Sequence, residues 1–285
     1  MAHCLSSCSF EQLSTENFVR EGFVVLEGFL PPDRISAVQA AVETHLSRPH
    51  GMACTRPHNV LVPLRWNDRI VELLLAPESQ QMLAEDISAE DLKWISGYVS
   101  LKEAFSPPLW WHQDWWCWDH PVSYRRAAPQ VALLCYLKDT DECNGALRIL
   151  PGSHHRSFPI HAVLPEAHGR GAEEIAADHI ALCDLPGQVT LRLNAGDAAV
   201  IDYRLLHGTH GNVSSKRRDC VLLSFTPSWA GLPEDIKAHL IDHPAQPAGT
   251  EEASTSPIAS LLPAFDGPRR SLPLNRNVPA MFEVA

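Results

Sequence analysis

Several features that mark other classes of protein are missing from this sequence. It has no run of about 18 consecutive apolar residues, and the opening MAHCLSSCSF lacks a basic segment followed by an apolar one. We therefore predict neither a membrane span nor a secretory signal. The eight cysteines never form a CxxC pair, which argues against a zinc knuckle and a disulfide framework. Together these absences predict a cytoplasmic protein with reduced thiols.

Positive charge is also scarce. Lysine and arginine total 23 against 34 aspartates and glutamates, which gives a formal net charge of −11. The basic residues are scattered along the chain, whereas proteins that bind nucleic acids usually carry a concentrated basic surface. We therefore expect no nucleic-acid partner.

The length of 285 residues and the apolar content of 45% suit a chain with one large core. We find no internal repeat, and we predict one domain over residues 1–285 in three parts. Residues 1–93 supply an N-terminal strand and supporting helices, residues 94–229 the core, and residues 230–285 a C-terminal tail. Residues 161–186 are expected to form an insertion with some helix. The segment PAQPAGTEEASTSP is expected to be a flexible surface linker.

The residues before position 94 contain one clear amphipathic pattern. We predict a short helix from about Ser14, a strand over residues 22–26, and a second helix after Pro32. Apolar residues recur at helical spacing in the second helix, at Ile35, Val38, Val42 and Leu46. This helix is expected to cover one side of a sheet.

From about Trp94 onward, short β-like runs alternate with turn residues. The runs are WISGYVSLK, QVALLCYLKD, GALRILPGS, QVTLRL, DAAVIDYRLLHG and DCVLLSFTPSW. Several short strands without helices between them indicate a mainly β sandwich or barrel rather than a βαβ sheet.

One short motif stands at the end of a predicted strand, in WWHQDWWCWDHP. An HxD or HxE triplet is expected about twice by chance in a chain of this composition, so its context must carry the argument. Side chains two residues apart on a strand share a face, so His112 and Asp114 can point to one place. A second histidine would complete a 2-His-1-carboxylate site for Fe(II) with open positions. His207 is the preferred candidate and His210 the alternative.

The order of the motifs resembles the phytanoyl-CoA dioxygenase family of Fe(II)- and 2-oxoglutarate-dependent oxygenases. The motifs are HQD, then NGALRILPGSH, then AGDAAVIDYRLLHGTHGN with an arginine eleven positions after its first histidine. The opening FVREGFVVLEGFLPPDRI is similar to that family's N-terminal strand and helix, so the resemblance spans about residues 16–228. It implies a mainly β fold, a double-stranded β-helix (a cupin-like jelly roll) with flanking helices.

The resemblance also implies the chemistry. His112, Asp114 and His207 would bind Fe(II), and 2-oxoglutarate and O2 would be co-substrates in an oxidation that releases succinate and CO2. Related halogenases replace the carboxylate ligand by a small residue, so Asp114 favours hydroxylation. Desaturation, cyclisation or epimerisation use the same ligands, and the sequence does not choose among them.

The 2-oxoglutarate site is implied in the same way. Arg218 would anchor the distal carboxylate, and a planar guanidinium matches a carboxylate better than a lysine does. The neighbouring Arg217 is the alternative, one of the two being a solvated charge. Thr209 would help to hold the same carboxylate, and Gln113 is a further candidate contact. Lys102 matches a lysine often seen in the family, without an assigned role.

Five of the eight tryptophans surround the HQD motif. They can form a hydrophobic cluster that closes the barrel, or they can line a substrate pocket. Trp111, Trp115 and Trp116 lie closest to the predicted ligands and are the candidate pocket residues.

A small organic metabolite is the expected substrate, because no compact basic patch is available for the phosphates of a CoA thioester. The insertion at residues 161–186 and the tail after Trp229 are the expected sites of substrate-specific loops. A zinc-dependent hydrolase and a non-catalytic jelly-roll ligand-binding protein are the alternatives. The sequence does not specify an oligomeric state.

Overall fold

Antiparallel strands form the centre of the fold. The computed structural model describes residues 10–48, 54–55, 58–167, 169, 171, 174–248 and 254–284. The strands are β1 (Phe23–Leu26), β2 (Cys54–Thr55), β3 (Val60–Leu64), β4 (Lys93–Lys102), β5 (Leu109–His112), β6 (Val131–Tyr136), β7 (Leu147–Ile149), β8 (Val189–Leu191), β9 (Ala198–Asp202), β10 (His207–Thr209) and β11 (Arg218–Thr226). The helices are α1 (Phe10–Glu21), α2 (Pro32–Leu46), α3 (Arg69–Leu74), α4 (Pro77–Asp86) and α5 (Glu234–Leu240).

The strands form two sheets in which every pairing is antiparallel. The larger sheet has the order β1-β9-β6-β11-β4-β3-β2, and the smaller has the order β5-β10-β7-β8. One apolar cluster contains side chains from both sheets, including Tyr136 of the larger and Leu147 and Ile149 of the smaller. The two sheets therefore pack face to face as a jelly roll.

Alternation along β6 explains why its sequence is apolar at every position. Val131, Leu133 and Cys135 pack into a cluster that contains residues of the helices, whereas Leu134 and Tyr136 pack between the sheets. Both faces of the larger sheet are thus buried, which gives a continuous apolar run rather than the alternation of a half-exposed strand.

Helices cover the outer face of the larger sheet. Their residues in that cluster include Val38 and Val42 of α2, Val71 of α3 and Leu83 of α4. The strand expected over residues 22–26 and the helix expected after Pro32 are present. None of the described helices combines the length and apolarity needed to cross a bilayer.

The outer face of the smaller sheet is covered by the segment predicted as an insertion. One short 3₁₀ turn, Pro159–Val163, leads into this segment, and another, Ile180–Leu182, lies within it. Leu164 and Leu185 of this segment pack against an apolar cluster that contains Trp111 of β5 and Leu206. The segment thus shields the smaller sheet from water.

The C-terminal tail packs against the rest of the molecule. Of the segment expected to be a flexible surface linker, residues 249–253 lie outside the described residues. Ala245 and Gln246 are buried, and the Gln246 side chain donates hydrogen bonds to the carbonyls of Trp94 (3.0 Å) and Ile95 (2.7 Å). The prediction of a flexible linker is therefore wrong for these two residues, because the glutamine amide binds backbone that the bulge in β4 leaves available.

Candidate metal centre and active site

Two histidines face each other across the smaller sheet. His112 ends β5 and His207 begins β10, and the two residues are direct partners in the antiparallel register. Directly paired residues point to the same face of a sheet. Their imidazole ring centroids are accordingly 4.2 Å apart.

Asp114 lies between the two rings. One carboxylate oxygen, Oδ1, is 3.6 Å from Nε2 of His112, and the other, Oδ2, is 3.6 Å from Nε2 of His207. The three side chains can each offer a ligand atom within 4.8 Å of the other two. Their side chains are 4%, 16% and 7% exposed for His112, Asp114 and His207, so the group lies largely inside the protein.

The backbone determines which imidazole nitrogens face the centre of the group. Nδ1 of His112 lies 2.9 Å from the carbonyl oxygen of Trp110, and Nδ1 of His207 lies 3.0 Å from that of Leu205. A carbonyl oxygen only accepts hydrogen bonds, so each Nδ1 carries a proton and donates it. With Nδ1 held by the backbone, each ring directs Nε2 toward Asp114, the arrangement typical of metal-binding histidines.

This arrangement fits a cation. Two Nε2 lone pairs and a carboxylate are all acceptors, and acceptors that converge inside a protein repel one another unless a positive charge lies between them. Two imidazoles and one carboxylate on one side of a point form the donor set of non-haem Fe(II) sites, with the other side open.

Two buried polar side chains lie on the inner faces of the sheets, as the metal-ligating group does. Thr209 follows His207 by two residues on β10 and shares its face, and its hydroxyl has no hydrogen-bond partner among the described residues. Arg218, at the start of β11, is 3% exposed, and its guanidinium carbon lies 5.2 Å from the ring centre of Tyr136. Its Nη2 donates to the carbonyl of Gly145 at 2.8 Å, but its Nε has no partner among the described residues. Unsatisfied buried donors of this kind are uncommon and suit a ligand carboxylate.

Lys102 is a second buried basic residue. It pairs with Arg218 in the register of β4 and β11, and its Nζ donates to the carbonyls of His58 (2.8 Å) and Pro107. Burial, with the charges of Arg218 and Arg148, lowers the pKa of Lys102 to about 6. Lys102 is therefore largely uncharged at neutral pH, and an anion at this place would favour its charged form.

The two alternative residues lie elsewhere. Nε2 of His210 is 2.8 Å from the hydroxyl of Thr190. Among the described residues, the metal-ligating group consists of His112, Asp114 and His207 and does not include His210. The Arg217 side chain is partly exposed and pairs with Asp219 and Glu43, each at 2.6 Å.

Gln113 and Trp111 point away from the metal-ligating group. The Gln113 amide donates to the carbonyls of Arg204 and Ser153, so its described hydrogen bonds hold backbone. Trp111 belongs to the cluster on the outer face of the smaller sheet and donates from Nε1 to the carbonyl of Cys183 at 2.8 Å. Their positions follow from alternation, because each is one residue away from His112.

The other two candidate tryptophans lie between the sheets. Trp115 is fully buried and donates from Nε1 to the hydroxyl of Ser123 at 2.8 Å. Trp116 lines a cavity and donates from Nε1 to Oε1 of Gln130 at 3.0 Å. Trp115 thus packs in the interior, whereas its neighbour Trp116 lines the cavity.

A cavity of about 530 Å³ extends from Asp114 to the protein surface. This volume is in the range of small-molecule sites. Side chains of the larger sheet form part of its wall, and the α5 region and the C-terminal tail form another part. Sequence reasoning missed the individual wall residues Tyr98, Gln130, Tyr203, His239 and Arg276. The inward positions of the strands could have indicated Tyr98, whereas no pattern marks Arg276.

Comparisons with known proteins agree with this geometry. Residues 18–220 match the family described as Phytanoyl-CoA dioxygenase (PhyH). An ectoine dioxygenase of Nocardia farcinica is 25% identical over 251 residues, which cover 80% of this chain and 81% of that protein. An L-proline trans-4-hydroxylase of Streptomyces griseoviridis is 29% identical over 153 residues, 50% of this chain and 56% of that protein. The crystal structure of EctD from S. alaskensis with 2-oxoglutarate and 5-hydroxyectoine has a TM-score of 0.56 and 20% identity, with 79% of each chain covered.

The family match covers more than half of the chain, and the structural similarity confirms the predicted jelly-roll fold class. The same comparisons confirm that the chain is an enzyme rather than a non-catalytic binding protein. The chain belongs to the phytanoyl-CoA dioxygenase family of Fe(II)- and 2-oxoglutarate-dependent oxygenases, as the order of its motifs predicted.

Proposed function

We propose that this enzyme oxidises a small organic metabolite in the cavity beside Asp114, with Fe(II) held by His112, Asp114 and His207. Arg218 binds the distal carboxylate of the co-substrate 2-oxoglutarate, and Thr209 donates to the same carboxylate. The observation that carries the proposal is the convergence of two Nε2 lone pairs and a carboxylate at 3.6 Å, beside buried donors without partners.

The buried donors favour this assignment over a zinc hydrolase. A hydrolytic zinc site needs three ligands and a water, and Arg218 and Thr209 would have no purpose in it. An oxygenase that binds a dianionic keto acid needs donors for the carboxylate farther from the metal. The guanidinium Nε of Arg218 and the hydroxyl of Thr209 are available for it.

With 2-oxoglutarate and O2, the ferrous ion supplies an oxidation in which a substrate C–H group becomes C–OH while 2-oxoglutarate becomes succinate and CO2. The protein orients the reactants. The hydrogen bonds from Nδ1 hold both imidazoles with Nε2 directed inward, and Asp114 borders the cavity in which the substrate binds. Trp116 and Tyr203 beside Asp114 restrict the access of water to this end of the cavity.

The cavity supports a small substrate. Of the described residues that line it, Arg276 is the single arginine or lysine, whereas a CoA thioester carries several phosphates. The relatives named above are an ectoine dioxygenase and an L-proline hydroxylase, whose names specify small metabolites. We infer a substrate of similar size. A cytoplasmic location stays a prediction from the sequence.

The test is anaerobic purification followed by measurement of Fe(II) content, 2-oxoglutarate binding and succinate formation. We expect one iron per chain and iron-dependent binding of 2-oxoglutarate in the wild type. Asp114→Ala should lose both in chloride-free buffer, because without a halide two neutral imidazoles bind the ion much more weakly than two imidazoles and a carboxylate do. Asp33→Ala, which removes an exposed carboxylate on α2, is the matched control and should retain both.

Three results would contradict the proposal. One is wild-type protein that binds no iron when Fe(II) is supplied. Another is iron without succinate formation across a broad panel of metabolites. The third is stoichiometric zinc with hydrolytic activity, which would support the zinc hydrolase instead.

A further inference from the structure

We propose that Arg276 binds a carboxylate of the primary substrate, and that the enzyme therefore acts on a small metabolite of the amino-acid type. This inference rests on the proposed function, because it concerns the substrate end of the same cavity. Arg276 is separate from the 2-oxoglutarate site, in which Arg218 lies against Gly145 and Tyr136.

Backbone hydrogen bonds attach the Arg276 segment to the loop that follows the metal ligand Asp114. The amide of Asn275 donates to the carbonyl of Trp116 at 2.8 Å, and the amide of Trp118 donates to the carbonyl of Asn275 at 3.2 Å. The Asn275 side chain also donates to Asp119 at 2.5 Å. These bonds place Arg276 next to the metal-binding loop although the two are distant in the sequence.

The Arg276 guanidinium faces the cavity without a protein partner. It lines the cavity and is partly buried, and it forms no hydrogen bond or ion pair with any described residue. Other arginines of this acidic chain pair with carboxylates, for example Arg192 with Glu142 at 2.6 Å. A partly desolvated guanidinium without a carboxylate suits an anionic ligand.

The position of Tyr203 connects Arg276 with the metal end of the cavity. The carbonyl of Tyr203 accepts a hydrogen bond at 2.9 Å from the amide of Trp115, the residue after Asp114. Tyr203 also lines the same cavity as Asp114 and Arg276. A carboxylate on Arg276 thus leaves the carbon skeleton of a small molecule beside Tyr203 and Trp116, with its C–H groups near Asp114.

The remaining wall fits a compact carbon skeleton. Ile95 and Leu222 of the larger sheet supply apolar surface, and Tyr98 and Trp116 supply aromatic faces. Such walls bind the body of a small ring or chain, while the single guanidinium determines its orientation. Orientation of this kind brings one C–H bond to the oxidising centre.

The experiment compares amino acids with their carboxamides, which differ in the negative charge. The probes are proline, pipecolic acid, lysine, ornithine, arginine and glutamine, each with its carboxamide. Binding to the protein loaded with Fe(II) and 2-oxoglutarate is measured by calorimetry without O2. Substrate-dependent succinate formation is then measured in air. The variants are Arg276→Gln, Arg276→Lys and, as matched control, Arg270→Gln, which changes an exposed arginine of the same tail.

We expect at least one amino acid to bind and to stimulate succinate formation, with its carboxamide bound at least about 10-fold more weakly. Arg276→Gln should weaken binding of the amino acid about 10- to 100-fold and leave binding of the carboxamide unchanged. Arg276→Lys should restore part of the loss, and Arg270→Gln should match the wild type. The KM for 2-oxoglutarate should stay within about twofold in all variants.

Equal binding of each amino acid and its carboxamide by the wild type would overturn the inference, whether or not the variants fold. So would an unchanged preference for the amino acid in a folded Arg276→Gln, or failure of every amino acid to bind protein that has bound Fe(II) and 2-oxoglutarate. If Fe(II) and 2-oxoglutarate themselves do not bind, the proposed function is what fails.

Discussion

Replacement of Arg218 by alanine, compared with Arg217→Ala, tests the 2-oxoglutarate site with two adjacent arginines. The Arg218 side chain points between the sheets and is 3% exposed. The Arg217 side chain points outward and is 29% exposed, with Asp219 and Glu43 as partners. The same chemical change at neighbouring positions should therefore have different results.

The expected magnitude follows from burial. Loss of one partner of a buried, hydrogen-bonded ion pair costs about 2–5 kcal/mol in binding, because the other charge stays desolvated and unpaired. Since the Thr209 hydroxyl remains as a donor to the carboxylate, we expect the lower part of this range. About 2–3 kcal/mol corresponds to a rise of about 30- to 150-fold in the Kd for 2-oxoglutarate.

Arg217→Ala removes partly exposed ion pairs, which contribute about 0–1 kcal/mol to stability. We expect a small decrease in the free energy of unfolding and a Kd for 2-oxoglutarate within about twofold of the wild type. Arg218→Lys should lie between Arg218→Ala and the wild type, because it keeps the charge and loses the planar pair of donors.

The assay is calorimetric titration of 2-oxoglutarate into the Fe(II) protein without O2, with succinate formation at increasing 2-oxoglutarate as a second measurement. Iron content and circular dichroism confirm that each variant is loaded and folded. A Kd within threefold of the wild type in folded Arg218→Ala would refute the assignment. A large loss of 2-oxoglutarate affinity in Arg217→Ala, without one in Arg218→Ala, would assign the carboxylate contact to Arg217 instead.

Three further predictions concern other parts of the molecule. His207→Ala should lose iron and succinate formation, whereas His210→Ala should keep its iron; the opposite pattern of metal content would contradict the ligand assignment. Trp116→Phe should raise the KM for the substrate, whereas Trp111→Phe should lower the free energy of unfolding by about 0.5–3 kcal/mol and leave that KM unchanged. The pKa of Lys102, lowered to about 6 by burial and neighbouring guanidinium groups, lies below its value of about 10.4 in the unfolded chain. Unfolding therefore takes up a proton between these values, so the stability of the ligand-free protein should rise with pH from 6 to 9. Lys102→Met should make that rise smaller in denaturant titrations, and an identical pH slope in both proteins would contradict the pKa.

Much of the fold could be predicted from the sequence where the spacing of apolar residues matches the side of the element that is buried. The amphipathic period after Pro32 predicted α2, and the apolar run at residues 130–139 predicted β6. The long run DAAVIDYRLLHG was less informative, because it forms two strands, β9 and β10, that belong to different sheets. A local pattern does not show where a chain leaves one sheet and enters the other.

Residue spacing predicted the candidate metal ligands better than it predicted the residues that line the cavity. A two-residue step puts His112 and Asp114 on one side whenever the segment is extended, and the motif order pointed to His207. The same alternation turns Trp111 and Gln113 away, but the sequence does not show which surface covers them. No sequence pattern marked Arg276, because its place beside the cavity depends on backbone hydrogen bonds between residues that are remote in the sequence.

The sequence by itself determined the mainly β class, the family, and the types of side chain available for a metal and a carboxylate, since these depend on residue identity and spacing of a few positions. Tertiary structure alone decided that His112 and His207 pair across β5 and β10, that Arg218 rather than Arg217 is buried, and that the tail closes one side of the cavity. These features depend on strand register and on packing between distant segments. Both are set by the burial of surfaces that exist only once the two sheets have come together.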